Sequence, residues 1–232
     1  MSPLTPARRA TPEYLDDPAT DPSVLAASGG EIAQCNRLFG GTRALLAELA
    51  PLWTSLRPAA SLLDVGCGVG DLPAAARHAA EANGVALRVV GLDRRALLAA
   101  RARTRVTEVV VGDAFALPFA DASFDIVTTC QVMHHFTNAS IPAFARELTR
   151  VARGRVIVSD LRRSWVAACG IWIASWPLGF NRITRHDGFV SILKGFEPAE
   201  LREALHAATG SDVRVTARRA FRITASWNPT AS

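Results

Sequence analysis

Apolar residues along this chain gather into short runs separated by helix-length stretches, the pattern of strands buried on both faces of a sheet. Leu62, Leu63 and Val65, with Asp64 among them, run into glycines at alternate positions, Gly66, Gly68 and Gly70. Residues 72–80 then read as a helix with proline in its first turn. Further apolar runs predict strands over 87–93, 106–113, 124–130 and 155–160, with helical spacing over 95–102 and 141–152 between them. Strands alternating with helices imply a parallel sheet covered on both faces. Residues 198–209 read as a helix, followed by strands over 213–219 and 221–227. The last two are too close for a crossover helix, so they pair antiparallel.

The ends are less regular. Residues 1–30 carry Pro3, Pro6, Pro12, Pro18 and Pro22 with Asp16, Asp17 and Asp21 between them. Such a segment is not one helix, and its first ten residues are expected to be mobile. Residues 31–39 and 42–50 read as helices broken at Gly40-Gly41, placed to cover the nucleotide side of the site. The expected organisation is an N-terminal extension with capping helices over 1–52 and one main domain over 53–232, with an insert at 162–196.

Composition narrows the class without naming an activity. A hydrophobic fraction of 49% and a charged fraction of 20% describe an ordinary folded chain of 232 residues. The net charge of +5 permits an anionic partner, but the arginines are scattered, and Lys194 is the single lysine. Cys35, Cys67, Cys130 and Cys169 show no metal-ligand spacing, so neither a structural zinc nor a disulfide framework is expected. Without an apolar leader at the N-terminus, the expected location is the cytoplasm.

A strand, a glycine turn and a helix bring bare backbone close to a ligand, and two cofactor classes use that device. A dinucleotide fingerprint, G-x-G-x-x-G, needs a third glycine where Asp71 stands, and counted from Gly68 it falls on Pro73. An aspartate in the first turn of the helix also repels a phosphate. A sulfonium amino acid wants carboxylates instead, and Asp64 precedes the turn. Asp93, ending the second strand, suits the paired hydroxyls of a ribose. Asp113, ending the third, can accept from an adenine amino group, with Ala114 and Phe115 walling the ring. Read singly, these acids are strand-end turn residues, and Cys67 is a small packing residue. Their shared register with the glycine loop argues for one crevice.

Leu63-Asp-Val-Gly-Cys-Gly-Val-Gly70, Gly91-Leu-Asp93, Gly112-Asp-Ala114 with Leu117-Pro-Phe119, and Ser123-Phe-Asp-Ile-Val127 with His134-His-Phe136 together resemble the class I S-adenosylmethionine (SAM)-dependent methyltransferases. The likeness is to the small-molecule branch that includes the ubiquinone/menaquinone-biosynthesis type. It implies an α/β, Rossmann-like, doubly wound sheet of seven strands with strand 7 reversed, an N-terminal helical extension and a lid-like insert after strand 5. It implies SAM as cofactor and S-adenosylhomocysteine (SAH) as product. Gly66, Cys67, Gly68, Gly70, Arg94, Cys130 and Gln131 then join the acids as candidate cofactor residues. A looser likeness, through Arg162-Arg-Ser-Trp165 and Arg185-His-Asp-Gly188, is to bacterial O-methyltransferases of phenolic polyketides.

The acceptor is harder to read. Methyl transfer asks the protein to align a nucleophile and exclude water, and a phenol or enol also benefits from a base near neutral pKa. His135, after the fourth strand, and His186, beside Asp187, are the candidate bases, while His78 and His206 fall on helices away from the crevice. Residues 164–180 hold Trp165, Trp172 and Trp176 near helical spacing. With His134 they are expected to line a hydrophobic or aromatic acceptor pocket. An ordinary core helix and a peripheral membrane contact through 164–180 are the other readings of that stretch. The place after the fourth strand reads Cys130-Gln-Val-Met-His-His-Phe136, not the Pro-Pro-aromatic clamp for planar amines, so nucleic acid is not the expected partner. No metal is expected, and the state is a monomer or homodimer. O-methylation of a phenolic acceptor leads, with C-methylation of a quinone precursor next. A SAM-fold protein that binds a biosynthetic partner without catalysis is the remaining alternative.

Overall fold

The structure, a computed structural model, describes residues 4–229. Among these residues seven strands, β1 (Ala59–Val65), β2 (Ala86–Asp93), β3 (Glu108–Val111), β4 (Phe124–Cys130), β5 (Ala152–Leu161), β6 (Arg214–Arg218) and β7 (Arg222–Trp227), share one sheet. Its order is β3-β2-β1-β4-β5-β7-β6. Strands β1 to β5 pair parallel, and β7 runs antiparallel between β5 and β6. The order reverses direction between β1 and β4, and a doubly wound sheet opens a crevice at such a point, beyond the carboxyl ends of the strands.

Successive strand residues face opposite sides, so the sheet builds two cores. Leu63, Val127 and Val156 meet α5 (Ile141–Val151) and α8 (Pro198–Thr209) through Phe144, Leu148, Leu201 and Leu205. Their neighbours Leu62, Ile126 and Ile157 meet α2 (Gly41–Leu49) and α3 (Asp71–Glu81) through Leu45, Leu49, Ala76 and Ala80. All of these side chains are essentially dry. The apolar runs of the sequence are continuous because both faces need them.

The lower edge of the sheet is pinned by Asp125. Its carboxylate accepts from the backbone N–H and hydroxyl of Ser61 at 2.9 Å each and pairs with Arg57 at 3.1 Å and Arg153 at 2.6 Å. Partial burial opposes its charge, but the hydrogen bonds from Arg153 and Ser61 win and hold its pKa at about 2. With the folded value below the unfolded 3.8, this stabilisation is present above pH 4 and disappears as the pH falls toward 2. Solvent at the edge screens the arginines, so its size is about 1 kcal/mol. Asp125→Asn is therefore expected to lower the urea midpoint at neutral pH and to flatten its acid limb; a parallel shift at every pH would refute this.

Three segments differ from expectation. Helix α1 spans Pro22–Leu38 and so begins well before residue 31. The Asp21 carboxylate caps its N-terminus by accepting from Ser23 and Val24. Gly29 is tolerated inside it because a Cβ there would stand 2.8 Å from Val69 Cγ1; the glycine permits close approach to the loop. Second, residues 4–10 of the segment expected to be mobile are docked, while 1–3 lie outside the described residues. The Leu4 carbonyl accepts from Trp165 N–H at 2.9 Å, Pro6 from Arg163 Nε at 2.6 Å, and Arg9 N–H donates to Leu193 at 3.1 Å. Third, the insert is a helical hairpin of α6 (Trp165–Ala174) and α7 (Arg182–Lys194). His186-Asp187-Gly188 lies inside α7, where a Cβ at Gly188 would be in ordinary contact with Ile171 of α6, 3.5 Å away.

Candidate active site

The loop after β1 folds back on β2. The N–H groups of Gly66 and Cys67 donate to the Leu92 carbonyl at 2.7 and 3.0 Å. Gly66, Gly68 and Gly70 have φ of 77°, 54° and 78°, a region that costs other residues energy. The Asp93 carboxylate locks the turn, taking the Gly68 N–H on one oxygen and the Arg95 N–H on the other, both at 2.8 Å. Its burial nevertheless leaves the pKa raised, because those N–H groups only partly offset lost solvation.

Asp64 is the most telling group here. It is 1% exposed, and its neutral partner is the Thr128 hydroxyl at 2.6 Å. Burial pushes its pKa up to about 7, with the charges of Asp71 and Asp93 adding to the shift against the Thr128 hydrogen bond. Six acidic residues, Glu13, Asp16, Asp64, Asp71, Asp93 and Asp113, thus line one crevice of about 740 Å³. That donor set fits a ligand carrying ammonium and sulfonium charges and disfavours a pyrophosphate. SAM fits these residues.

The crevice walls include Asp64, Gly66, Cys67, Gly68, Asp93, Arg94, Asp113, Ala114, Phe115, Cys130 and Gln131. The structure brings all of these expected cofactor residues together. Gly70 is not a wall residue: it packs against Ala102, where a Cβ would approach to 3.1 Å. Asp113 is exposed and turns its own loop by accepting from Phe115 N–H at 2.9 Å. Phe115 stands edge-on to Phe136, centroids 4.7 Å apart. Cys67 is a packing residue whose Sγ would stand 2.7 Å from a Gly91 Cβ, and burial keeps it a thiol.

A second cavity, of about 470 Å³, adjoins the first. Glu13, Leu15, Ile32, Gln131 and His135 line both. The second is walled largely by apolar groups from α1, α6 and α7, including Phe39, Val166, Ile171 and Phe180. His134 belongs to it, as expected. Trp165, Trp172 and Trp176 are not among its lining residues. Trp165 and Trp172 pack against Phe189, and Trp176, 61% exposed, carries the Arg185 guanidinium 3.7 Å over its ring. Helix α6 is apolar nearly all round, so spacing could not tell which face turns inward; that face bears Val166, Ala167, Gly170 and Ile171. No helix among the described residues is long and apolar enough to cross a membrane.

The histidines separate clearly. His186 is outside both cavities, with Nδ1 at 2.9 Å from Asp187 and its ring 4.5 Å from that of Tyr14. His135 stands on the shared wall, with Nδ1 3.0 Å from Asp16, 3.8 Å from Glu13 and 3.5 Å from the Lys194 ammonium. Burial disfavours its charge, but Asp16 and Glu13 outweigh burial and Lys194, so its pKa is raised above 6.5. Its contribution to stability is full below pH 6.5 and is lost as the pH rises through the folded value. An NMR titration of His135 is expected to show a raised midpoint that drops to 6.5 or below in Asp16→Asn; an unshifted midpoint would contradict this.

His134 is held differently. Its Nδ1 is 2.7 Å from Asp160 Oδ1, and its backbone N–H donates to Asp160 Oδ2 at 3.1 Å. Asp160 also accepts from Leu161 N–H, and although burial opposes its charge, the His134 contact keeps its pKa low. An ionised Asp160 can only accept, so His134 presents its Nδ1–H to that carboxylate. Among the described residues Nε2 is buried without a hydrogen-bond partner, and Glu13 places a carboxylate oxygen 3.6 Å away. Glu13, His134 and His135 bring ligand atoms within 4.8 Å of one another, but Lys194 already places its ammonium 2.9 Å from Glu13.

Several groups escaped the sequence reading. Glu13 and Asp16 lie in the proline-rich segment, Asn36 bridges Gln131 and Asp71 by donating to Asp71 at 2.9 Å and accepting from Gln131, and Asp160 and Lys194 support the histidines. Two had a signal: Asp160, like Asp93, is an acid at the carboxyl end of a strand, and Lys194 is the single lysine in an arginine-rich chain.

The "Methyltransferase domain" family profile matches residues 63–158. The chain is 31% identical over 193 residues to a 2-phytyl-1,4-naphtoquinone methyltransferase of Synechococcus elongatus, covering 75% of this chain and 81% of that protein. It is 36% identical over 132 residues to the ubiquinone/menaquinone biosynthesis C-methyltransferase UbiE of Dinoroseobacter shibae, covering 53% of this chain and 51% of that one. Among solved structures it is similar to a SAM-dependent methyltransferase from Aquifex aeolicus, with a TM-score of 0.60 at 17% identity over 90% of this chain and 99% of that one. It is also similar to the magnesium protoporphyrin IX methyltransferase of Synechocystis, with bound SAH, with a TM-score of 0.57 at 16% identity over 82% and 84%. The acid-lined glycine crevice, the reversed seventh strand and these likenesses agree: the chain belongs to the SAM-dependent methyltransferases of the ubiquinone/menaquinone-biosynthesis type.

Proposed function

We propose that the protein methylates a ring carbon of a hydroxylated, quinone-type aromatic acceptor bound in the apolar cavity, with His134 as the proton acceptor. One observation carries this reading. The cofactor crevice abuts a second, apolar cavity, and His134, braced by Asp160, stands on the wall of that cavity with its Nε2 lacking a hydrogen-bond partner among the described residues. The names of the relatives, which describe quinone methyltransferases, support the same acceptor class.

SAM, when bound, supplies an electrophilic methyl group. Asp64, Asp93 and Asp113 would hold its charged and polar groups, and Phe115 would flank its adenine. The work of the remaining residues is exclusion and proton transfer. The apolar walls keep water from competing for the methyl group. His134 Nε2 accepts the acceptor's hydroxyl proton while Asp160 stabilises the imidazolium that results. Electron density then rises on the ring carbon beside the oxygen, which becomes the nucleophile. Once that carbon carries the methyl group, its ring proton is lost to solvent and the His134 proton returns to the oxygen, restoring the aromatic ring. The oxygen itself is a rival nucleophile under the same base, so O-methylation is the second reading.

The deciding experiment supplies methyl-labelled SAM and a reduced naphthoquinol, and locates the label by NMR. A label on ring carbon supports the proposal, and a methyl ether replaces it with the second reading. Absence of transfer to any quinol or phenol, with SAM bound, would overturn both.

A further inference from the structure

Arg222 opens β7 at the inner end of the apolar cavity. It is 5% exposed, and among the described residues no carboxylate forms an ion pair with it. Its Nε donates to the Phe39 carbonyl at 3.0 Å, which ties the end of α1 to the sheet. Its Nη1 is buried with no hydrogen-bond partner. Guanidinium does not surrender its proton in proteins, so this is a permanent cation with donors to spare in an apolar chamber. Burial depresses its pKa, as expected for a charge without a counter-ion beside it. Cys35, on the same wall, does not neutralise it, because burial keeps that thiol protonated with a pKa of about 11. Asp160, which feels the charge, is already committed to His134 and Leu161.

A buried ion without a partner costs several kcal/mol, and a structural tie to one carbonyl would not require a charge. Arg222 and His134 line one apolar cavity, and each carries a buried nitrogen, Nη1 and Nε2, that has no hydrogen-bond partner among the described residues. We propose that Arg222 is a binding residue for the acceptor, its guanidinium taking a carbonyl or phenolate oxygen of an aromatic ligand that presents a second oxygen to His134. The ligand class is an aromatic ring system with at least two oxygens, one of them anionic or strongly dipolar, and a simple phenol leaves one site unfilled. This assignment rests on the acceptor reading above and deepens it.

The test uses the full chain saturated with SAH and the hydroxynaphthoquinone lawsone, an anion at neutral pH, with methylnaphthalene as the oxygen-free ring. In Arg222→Met the lawsone Kd is expected to rise about 10- to 100-fold, the loss of a charged hydrogen bond. Methylnaphthalene and SAH should bind within about twofold of wild type, and Tm should not fall, since an unpaired buried charge has been removed. Arg222→Lys, which keeps the charge but loses the fork, should lie between the two and carries the same comparison should the Met variant not fold. Equal weakening toward lawsone and methylnaphthalene, or unchanged lawsone affinity, overturns the Arg222 assignment while leaving the acceptor reading intact. Wild-type protein that binds SAH but neither ring overturns the acceptor reading and this inference with it.

Discussion

His134→Ala should lower kcat about 10²- to 10⁴-fold, the usual contribution of a positioned base, while SAH affinity remains within about twofold. The histidine lines the acceptor cavity and is absent from the walls of the cofactor crevice, so the two readouts separate. Asp160→Asn should also depress kcat. It can present an amide N–H where Nδ1–H needs an acceptor, and the tautomer that leaves Nε2 free is then no longer enforced. The pH dependence of kcat should change along with the rate. His135→Ala is the contrasting variant: its Nδ1 is occupied by Asp16, which favours the charged form, so it should cost far less than His134→Ala. A His134→Ala enzyme within a few-fold of wild type, alongside a crippled His135→Ala enzyme, would transfer the role to His135. Retained folding is checked by SAH calorimetry on each variant.

The second large effect belongs to Asp93. Its two carboxylate oxygens hold the backbone N–H groups of Gly68 and Arg95, which fixes the glycine turn against the end of β2. Two such charge-assisted hydrogen bonds are worth about 1.5–3 kcal/mol each. Asp93→Ala removes both, together with an acid on the crevice wall, so SAM affinity should fall at least about 10²-fold. Asp93→Asn keeps one acceptor oxygen and should fall less. Calorimetric titration with SAH reads the loss directly. If Asp93→Ala bound SAH as well as wild type, the turn would be held by other contacts and the crevice assignment would need revision.

The two sites were legible to different degrees, and particular residues explain why. Asp64, Asp93 and Asp113 could be read because each ends a strand, and parallel strands bring their carboxyl ends to one edge whatever the loops do. Asp160 obeys the same rule near the carboxyl end of β5. Glu13, Asp16, Arg222 and Lys194 follow no such rule. They come from an irregular segment, a strand start and a helix end: Glu13 and Asp16 meet Lys194 because the N-terminal strap lies against α7, and Arg222 is placed by the start of the reversed strand beside β5. The tryptophans failed for another reason: a helix apolar on every side carries no phase in its sequence, and packing alone chose the face toward Phe39 and Phe180.

The sequence by itself determined the cofactor. A glycine loop with Asp71 at the position a dinucleotide forbids, and acids at the ends of successive strands, is local information read within elements of regular period. Only the tertiary structure decided the acceptor side. It placed His134 on the wall of the apolar cavity and His186 outside it, turned the tryptophans away from that cavity, and buried Arg222 on its lining. Those outcomes depend on contacts between segments far apart in the chain, where burial and pairing set the chemistry and no local pattern records it.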